Sequence, residues 1–263
     1  MRSADPTQRA AWDDARTAMK NHEGIERARP PRPRMARVCS TPDFTATGRA
    51  LGRGQLVVDR VFDEIYPSTV RRASSIHWTP VDVAMRVTKL LAVEPNATIL
   101  DVGAGVGKFC IVAAALVPGL RVRGVEHRAH FVDVAREAAT KVGVSVDFDH
   151  GTLDAQDPAK VDGVYLFNPF AENLSAIEDR LDDSVELNED RYWKDVEITE
   201  RFLRAARTGT RVVTYCGWGG SMPPEYELVR REARAGNIEL WIKSGYSVGP
   251  SFTRHTRESE LSR

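Results

Sequence analysis

The chain is poor in cysteine and has no net charge. Its 263 residues include three cysteines, Cys39, Cys110 and Cys216, far apart and without a CxxC pair. That spacing suggests neither a disulfide framework nor a zinc site, and a reducing, cytoplasmic setting is expected. No two histidines stand at metal-ligand spacing with a carboxylate or cysteine, so no metal is expected. Lysine plus arginine and aspartate plus glutamate each total 37, so no overall field draws the molecule to nucleic acid or to a membrane. A run of about 18 apolar residues, the length of a membrane-spanning helix, is absent. Charges at Arg2, Asp5, Arg9, Asp13 and Asp14 stand where a secretory signal needs an apolar stretch, and secretion is not expected.

What charge there is falls unevenly. Residues 1–55 hold 11 basic and 6 acidic side chains, against 26 and 31 in residues 56–263. The stretch Arg29-Pro-Pro-Arg-Pro-Arg-Met-Ala-Arg37 combines proline density, which blocks helix, with repeated charge, which favours solvation. Residues 1–55 read as a basic, largely flexible arm with a short helix near Arg9 to Lys20. Residues 56–245 read as one folded domain, and 246–263 as a tail; the length suits one large α/β domain.

Within that domain, apolar β-branched runs alternate with helix-length amphipathic stretches. Strands are expected at Thr98–Val102, Leu120–Glu126, Val144–Phe148, Val161–Phe167 and Thr210–Cys216. Helices are expected at Thr79–Leu91, with Thr79 as N-cap and Pro80 at the first position, and at Val106–Leu116, Ala129–Val142, Leu174–Asp183 and Glu189–Arg207. Tyr226–Ala235 and Ile238–Ser244 suit an antiparallel edge hairpin. This alternation predicts a doubly wound α/β fold, a mostly parallel sheet with helices on both faces.

The strongest chemical pattern is Ile99-Leu-Asp-Val-Gly-Ala-Gly-Val-Gly-Lys-Phe-Cys110. A buried strand ends at Asp101 and passes through Gly103, Gly105 and Gly107 into a helix. Glycines there let backbone approach a ligand closely, and the helix start favours an anionic or zwitterionic group. Glu126 closes the next strand, a position from which a carboxylate accepts both hydroxyls of a ribose. Read as GxGxxG, the turn places Lys108 where a dinucleotide site needs its third glycine, which disfavours NAD and a nicotinamide oxidoreductase.

An acidic residue followed by GxGxG, with the second-strand acid, resembles motif I of the class I S-adenosylmethionine-dependent methyltransferases. The resemblance spans roughly Ser74 to Ser244. It implies a seven-stranded, Rossmann-like sheet and S-adenosyl-L-methionine as cofactor, with S-adenosyl-L-homocysteine as product. It further implies that Asp101 and the backbone of Gly103, Ala104, Gly105 and Gly107 hold the amino acid part, that Glu126 holds the ribose, and that His127 lies near the ribose or adenine. The third strand departs from the family's Gly-Asp ending: Thr152 stands at the place of the adenine-facing carboxylate, Leu153 offers packing on the adenine face, and Asp154 is a substitute acceptor.

At the end of the fourth strand, Asn168-Pro169-Phe170 is similar to the Asn-Pro-Pro-Tyr/Phe motif of amino-group methyltransferases, one proline short. By that similarity Asn168 and the following carbonyl accept hydrogen bonds from a target amine, an aromatic ring stacks on it, and Asn168 also borders the cofactor. The segment Ser74-Ser-Ile-His-Trp-Thr-Pro-Val-Asp-Val-Ala84 looks like the one preceding motif I in adenine amino-group methyltransferases. Tyr66-Pro-Ser-Thr with the glycine turn is loosely similar to class I protein lysine methyltransferases. Tyr66, His77, Trp78 and Trp218 are therefore candidates for the substrate side; Tyr215 is a weaker one. His130 reads as surface and Cys110 as core. The expected activity is methyl transfer to an amine nitrogen of a protein or small molecule. Two alternatives stand beside it: an RNA or DNA amino-group methyltransferase using the basic arm, and a catalytically silent cofactor-binding subunit.

Overall fold

The computed structural model describes residues 43–233 and 237–245. The helix expected near Arg9 to Lys20, most of the arm, Cys39 and the tail lie outside the described residues. Seven strands form one sheet in the order β3-β2-β1-β4-β5-β7-β6: β1 (Thr98–Val102), β2 (Arg121–Glu126), β3 (Asp147–His150), β4 (Gly163–Leu166), β5 (Arg211–Tyr215), β6 (Tyr226–Glu232) and β7 (Ile238–Lys243). The first five run parallel, and β7 is antiparallel to both β5 and β6. Asp101 pairs with Gly124 on one side and Tyr165 on the other, so the carboxyl ends of β1, β2 and β4 lie together. That is where an open α/β sheet opens a ligand crevice.

Four helices cover one face. α2 (Val81–Leu91), α3 (Lys108–Leu116) and α4 (Ala129–Val142) pack on the sheet, and α1 (Phe44–Gly52) lies across α3 and α4. α5 (Glu189–Ala205) covers the other face, where Val196, Phe202 and Leu203 meet Leu100, Val164 and Val212. The expected doubly wound architecture is present.

Several local expectations give way to the structure. Residues 44–52, read as arm, form α1, with Asp43 accepting from the amides of Thr45 and Ala46 and with Leu51 fully buried. Periodicity over so short a stretch was masked by its polar residues. Thr79 does not cap α2; its hydroxyl is shared with Tyr165 Oη at 3.1 Å, and Asp59 reaches from 22 residues away to accept from the Val81 amide at 3.0 Å. β3 begins at Asp147 because Gly143, in the left-handed region, ends α4 and the Val144 amide turns back to the Ala139 carbonyl. Leu174–Asp183 is irregular, with one-turn 3-10 segments at Ala171–Leu174 and Ile177–Asp179. There the carboxylates of Glu172 and Asp182 accept from the amides of Leu181 and Ser184, side-chain bonds that compete with a helical ladder.

Between α1 and α2 the chain makes three one-turn α-helices, Asp59–Phe62, Ser68–Arg71 and Ser74–His77, and a 3-10 turn, Asp63–Ile65, and this cover brings Trp78 over the glycine turn. A buried cation ties the first of these segments to the last. Lys108 Nζ sits 2.5 Å from Asp59, 2.7 Å from Asp63 and 3.1 Å from Ser74 Oγ, and 5.7 Å from the centre of the Phe62 ring. The lysine that disfavours a dinucleotide thus ties this cover to the turn. Lys108→Met leaves two carboxylates facing a non-polar group, and loss of one partner of a buried ion pair costs about 3–5 kcal/mol. Urea unfolding is expected to show that loss; a change under about 1 kcal/mol would mean the cluster is solvated.

Candidate functional site

The glycine turn is built by backbone geometry. Gly103, Gly105 and Gly107 have φ of +72°, +55° and +75°, values that favour glycine. The amides of Gly103 and Ala104 both donate to the Val125 carbonyl, at 2.9 and 3.0 Å, and the Gly107 amide donates to the Ala104 carbonyl at 2.8 Å. The remaining glycine amide, that of Gly105, donates to Glu126 Oε2 at 2.9 Å, while Glu126 Oε1 accepts from the Arg128 amide at 2.8 Å. Glu126 therefore joins the end of β2 to the turn. These amides shape the loop.

The walls are close. A Cβ on Gly105 would stand 2.4 Å from the Trp78 ring, and one on Gly103 would stand 3.0 Å from Pro169 Cβ. Trp78 meets Phe131 edge-on at 5.4 Å and donates through Nε1 to the Val70 carbonyl at 3.4 Å. Opposite, Asn168, two residues past β4, lies in the left-handed region with φ +38°, and Cys216, the residue after β5, has φ +57°. The Asn168 amide donates to the Gly217 carbonyl at 3.0 Å and locks the two ends together. Backbone held in such a region costs about 1–3 kcal/mol and concentrates at functional sites.

One cavity joins these parts. Gly103, Gly105, Glu126, His127, Asn168 and Pro169 line it, with His77 and Trp78 from the cover. Eight of the residues singled out from the sequence thus come together. The others do not face it. Asp101 and Ala104 lie beneath the turn, Gly107 caps α3, and Leu153, Phe170 and Trp218 pack in the core between the sheet and α5. Thr152 bonds to Asp154, and Tyr66 is buried with the other core. Phe167, 4.8 Å from Tyr215 between ring centres, presents the aromatic ring to the cavity instead of Phe170.

The sequence reading missed the outer wall. Arg128, 3% exposed, pairs with Glu172 at 2.9 Å and Asp182 at 3.1 Å and stands 5.5 Å from the Phe131 ring centre. His130 also meets Asp182, at 3.1 Å. These contacts draw the segment after β4 over the cavity, where Ala171, Glu172, Asn173, Leu181 and Leu187 join the lining. An arginine two residues past the second-strand acid was the available signal; its partners lie more than 40 residues away.

Burial governs the site's protonation. It raises the Asp101 carboxyl to about 7, opposed by the Cys110 thiol, which donates to Oδ2 at 3.3 Å, and assisted by the Glu126 charge. It also pushes the Glu126 carboxyl up, against the pull of the Arg128 and Gly105 amides and the Arg128 charge. Burial lowers His127 to about 4, helped by the neighbouring charges of Arg128 and Arg191. The imidazole is therefore neutral at pH 7, and Nε2, 3.3 Å from Arg128 Nη1, accepts from the guanidinium. Among the described residues, no group of three or more His, Cys, Asp or Glu is placed to hold a metal ion, and no helix is long and apolar enough to cross a membrane.

Strand order, glycine turn, second-strand acid and cavity agree with the expected resemblance to the class I, S-adenosylmethionine-dependent methyltransferases. Residues 99–181 match a family model described as a methyltransferase domain, and that stretch runs from β1 through the segment that covers the cavity. A search of curated proteins found no match. Among solved structures, the chain is similar to an RNA methyltransferase from Salinibacter ruber in complex with S-adenosyl-L-homocysteine, at 23% identity and a TM-score of 0.48, over 64% of this chain and 94% of that one. It is similar to TrmN from Thermus thermophilus at 20% identity and a TM-score of 0.49, over 70% of this chain and 53% of that one. It is also similar to a SAM-dependent O-methyltransferase from Thermotoga maritima at 18% identity and a TM-score of 0.43, over 68% and 72%. The cofactor fits the residues present: Gly103, Gly105 and the Glu126 carboxylate line one cavity with His127 and Asn168.

Proposed function

We propose that the enzyme methylates an amine nitrogen on a protein or small-molecule acceptor. The observation that carries this reading is the placement of Asn168 and Pro169, on strained backbone at the end of β4, against the first glycine of the turn and in the same cavity. Bound S-adenosylmethionine supplies a methyl group on a sulfonium that becomes a neutral thioether when the methyl leaves. The chain's task is to orient the acceptor. The Asn168 amide oxygen and the Pro169 carbonyl accept the amine hydrogens, which fixes the direction of the nitrogen lone pair, and Phe167 lies along the group. Such positioning supplies most of the acceleration in a direct displacement. Glu126 takes the ribose, and Asp101 acts on the cofactor's charges from beneath the turn.

The charge around the opening favours a neutral or cationic acceptor. Residues 171–190, which form the outer wall and the start of α5, carry eight acidic side chains and one basic, a field that repels a phosphate backbone. Titration calorimetry with S-adenosylhomocysteine is expected to show binding, weakened by about 1–3 kcal/mol in Glu126→Ala through lost charged hydrogen bonds. Labelled methyl transfer should then appear on lysine-containing peptides or polyamines in preference to bulk tRNA. Asn168→Ala should keep cofactor affinity and lower kcat by about 100-fold or more, the size of a lost orienting group. Methylation of tRNA alone would establish the nucleic-acid reading, and tight cofactor binding without turnover on any of these would establish a silent subunit.

A further inference from the structure

The segment after β4 holds a polar atom that the folded chain leaves without a partner. Asn173 is 6% exposed, and its Nδ2 donates to the Phe170 carbonyl at 3.1 Å. That bond fixes the amide orientation, since only the nitrogen can donate to a carbonyl. Oδ1 is then committed to be an acceptor, and it is buried with no hydrogen-bond partner among the described residues. A buried carbonyl left unmade is unfavourable. Of the residues with such an atom, Asn173 is the one that lines the cavity containing Gly103, Gly105 and Glu126.

Its position in that cavity narrows the ligand group. Glu172, the preceding residue, pairs with Arg128 at 2.9 Å, so the turn bearing Asn173 adjoins the end of β2, where Glu126 and His127 stand. A base joined to a ribose held at Glu126 falls on this side, among His127, Arg128, Ala171, Leu181 and Leu187. Adenine presents one exocyclic donor, its 6-amino group, while its ring nitrogens accept. The residue expected to read that amino group from the third strand does not face the cavity, and the Thr152 hydroxyl is spent on Asp154.

We propose that Asn173 reads the adenine of the cofactor, Oδ1 accepting a hydrogen bond from the 6-amino group in place of the third-strand acceptor. The inference rests on the proposed seating of the cofactor with its ribose at Glu126. An inosine-type base, with an oxo group at position 6, sets oxygen against oxygen at Asn173 and is rejected.

The test is titration of the full chain with S-adenosylhomocysteine and with S-inosylhomocysteine. The wild type is expected to prefer the adenosyl compound by on the order of tenfold or more. Asn173→Ala should bring that ratio close to one. Asn173→Asp, which keeps an acceptor but gives up the bond to Phe170, should keep the preference even if it weakens both ligands, and Thr152→Ala should leave the ratio unchanged. An unaltered ratio in Asn173→Ala, or a lost one in Asn173→Asp, overturns the proposal, as does a wild type that binds both compounds equally. Should Asn173→Ala not fold, the Asp variant decides alone. A wild type that binds neither compound refutes the cofactor seating itself, a different result from binding without discrimination.

Discussion

Gly105→Ala is expected to abolish cofactor binding within the range of calorimetry and to destabilise the fold by about 3 kcal/mol, the sum of a backbone cost and a clash. Two separate effects meet at this residue. Its φ of +55° disfavours any side chain, and the added carbon would lie 2.4 Å from a Trp78 ring atom. Trp78 has little room to retreat, packed edge-on to Phe131 and hydrogen-bonded to Val70. Any retreat moves the wall of the cavity, and any shift of the turn moves the Gly105 amide away from Glu126. Gly54→Ala separates the two effects, because Gly54 has φ +72° and nothing within 4 Å of its added carbon. It should lose only the backbone contribution, about 1 kcal/mol, and bind S-adenosylhomocysteine as the wild type does. Equal melting temperatures for the two variants, with binding retained in both, would remove Trp78 from its place over the turn.

The turn was legible in the sequence because its requirements are local. Three glycines at a strand-to-helix junction and an acid at the end of the next strand are set by spacing, and the structure brings Gly103, Gly105 and Glu126 to one cavity. The sheet was legible for a similar reason, since strands buried on both faces, such as β4, read as unbroken apolar runs. The outer wall was not. Glu172 and Asp182 lie in a charge-rich stretch that scans as a helix, and Arg128 and His130, which reach it from the end of β2 and the start of α4, show why it is folded back. The capping of α2 by Asp59 and the burial of Lys108 between Asp59 and Asp63 are likewise long-range pairings. Phe167 directly follows β4 and lines the cavity, whereas Phe170, beyond the left-handed turn at Asn168, enters the core against α5.

Asp101→Asn is expected to raise stability at pH 8 while it weakens cofactor binding. Burial holds the Asp101 carboxyl at about 7 in the folded chain, against 3.8 for an ordinary aspartate. Between these values the native state binds a proton that the unfolded chain has released, so stability falls as pH rises from about 4 to about 7 and changes no further from this group above that. Each unit of difference corresponds to about 1.4 kcal/mol, which makes the total on the order of a few kcal/mol. Asparagine resembles the protonated acid in shape, lacks the charge, and keeps an oxygen for the Cys110 thiol. The variant should therefore match the wild type near pH 4 and melt several degrees higher at pH 8, at about 2–4 °C per kcal/mol for a domain of this size. Binding should move the other way. An ammonium group above the turn favours the ionised acid, so wild-type affinity for S-adenosylhomocysteine, which carries one, should rise with pH toward 7 and flatten, and the asparagine variant should be weaker and lack that rise. Thermal melts at pH 5 and pH 8, paired with titrations at the same values, measure both. If the variant is no more stable at pH 8, Asp101 is ionised at little cost in the native fold; if it is more stable and binds equally well, the buried acid serves the fold's interior and takes no part in holding the cofactor. The expected pairing, stability gained with affinity lost, would show a charge kept in an unfavourable place because the ligand needs it there.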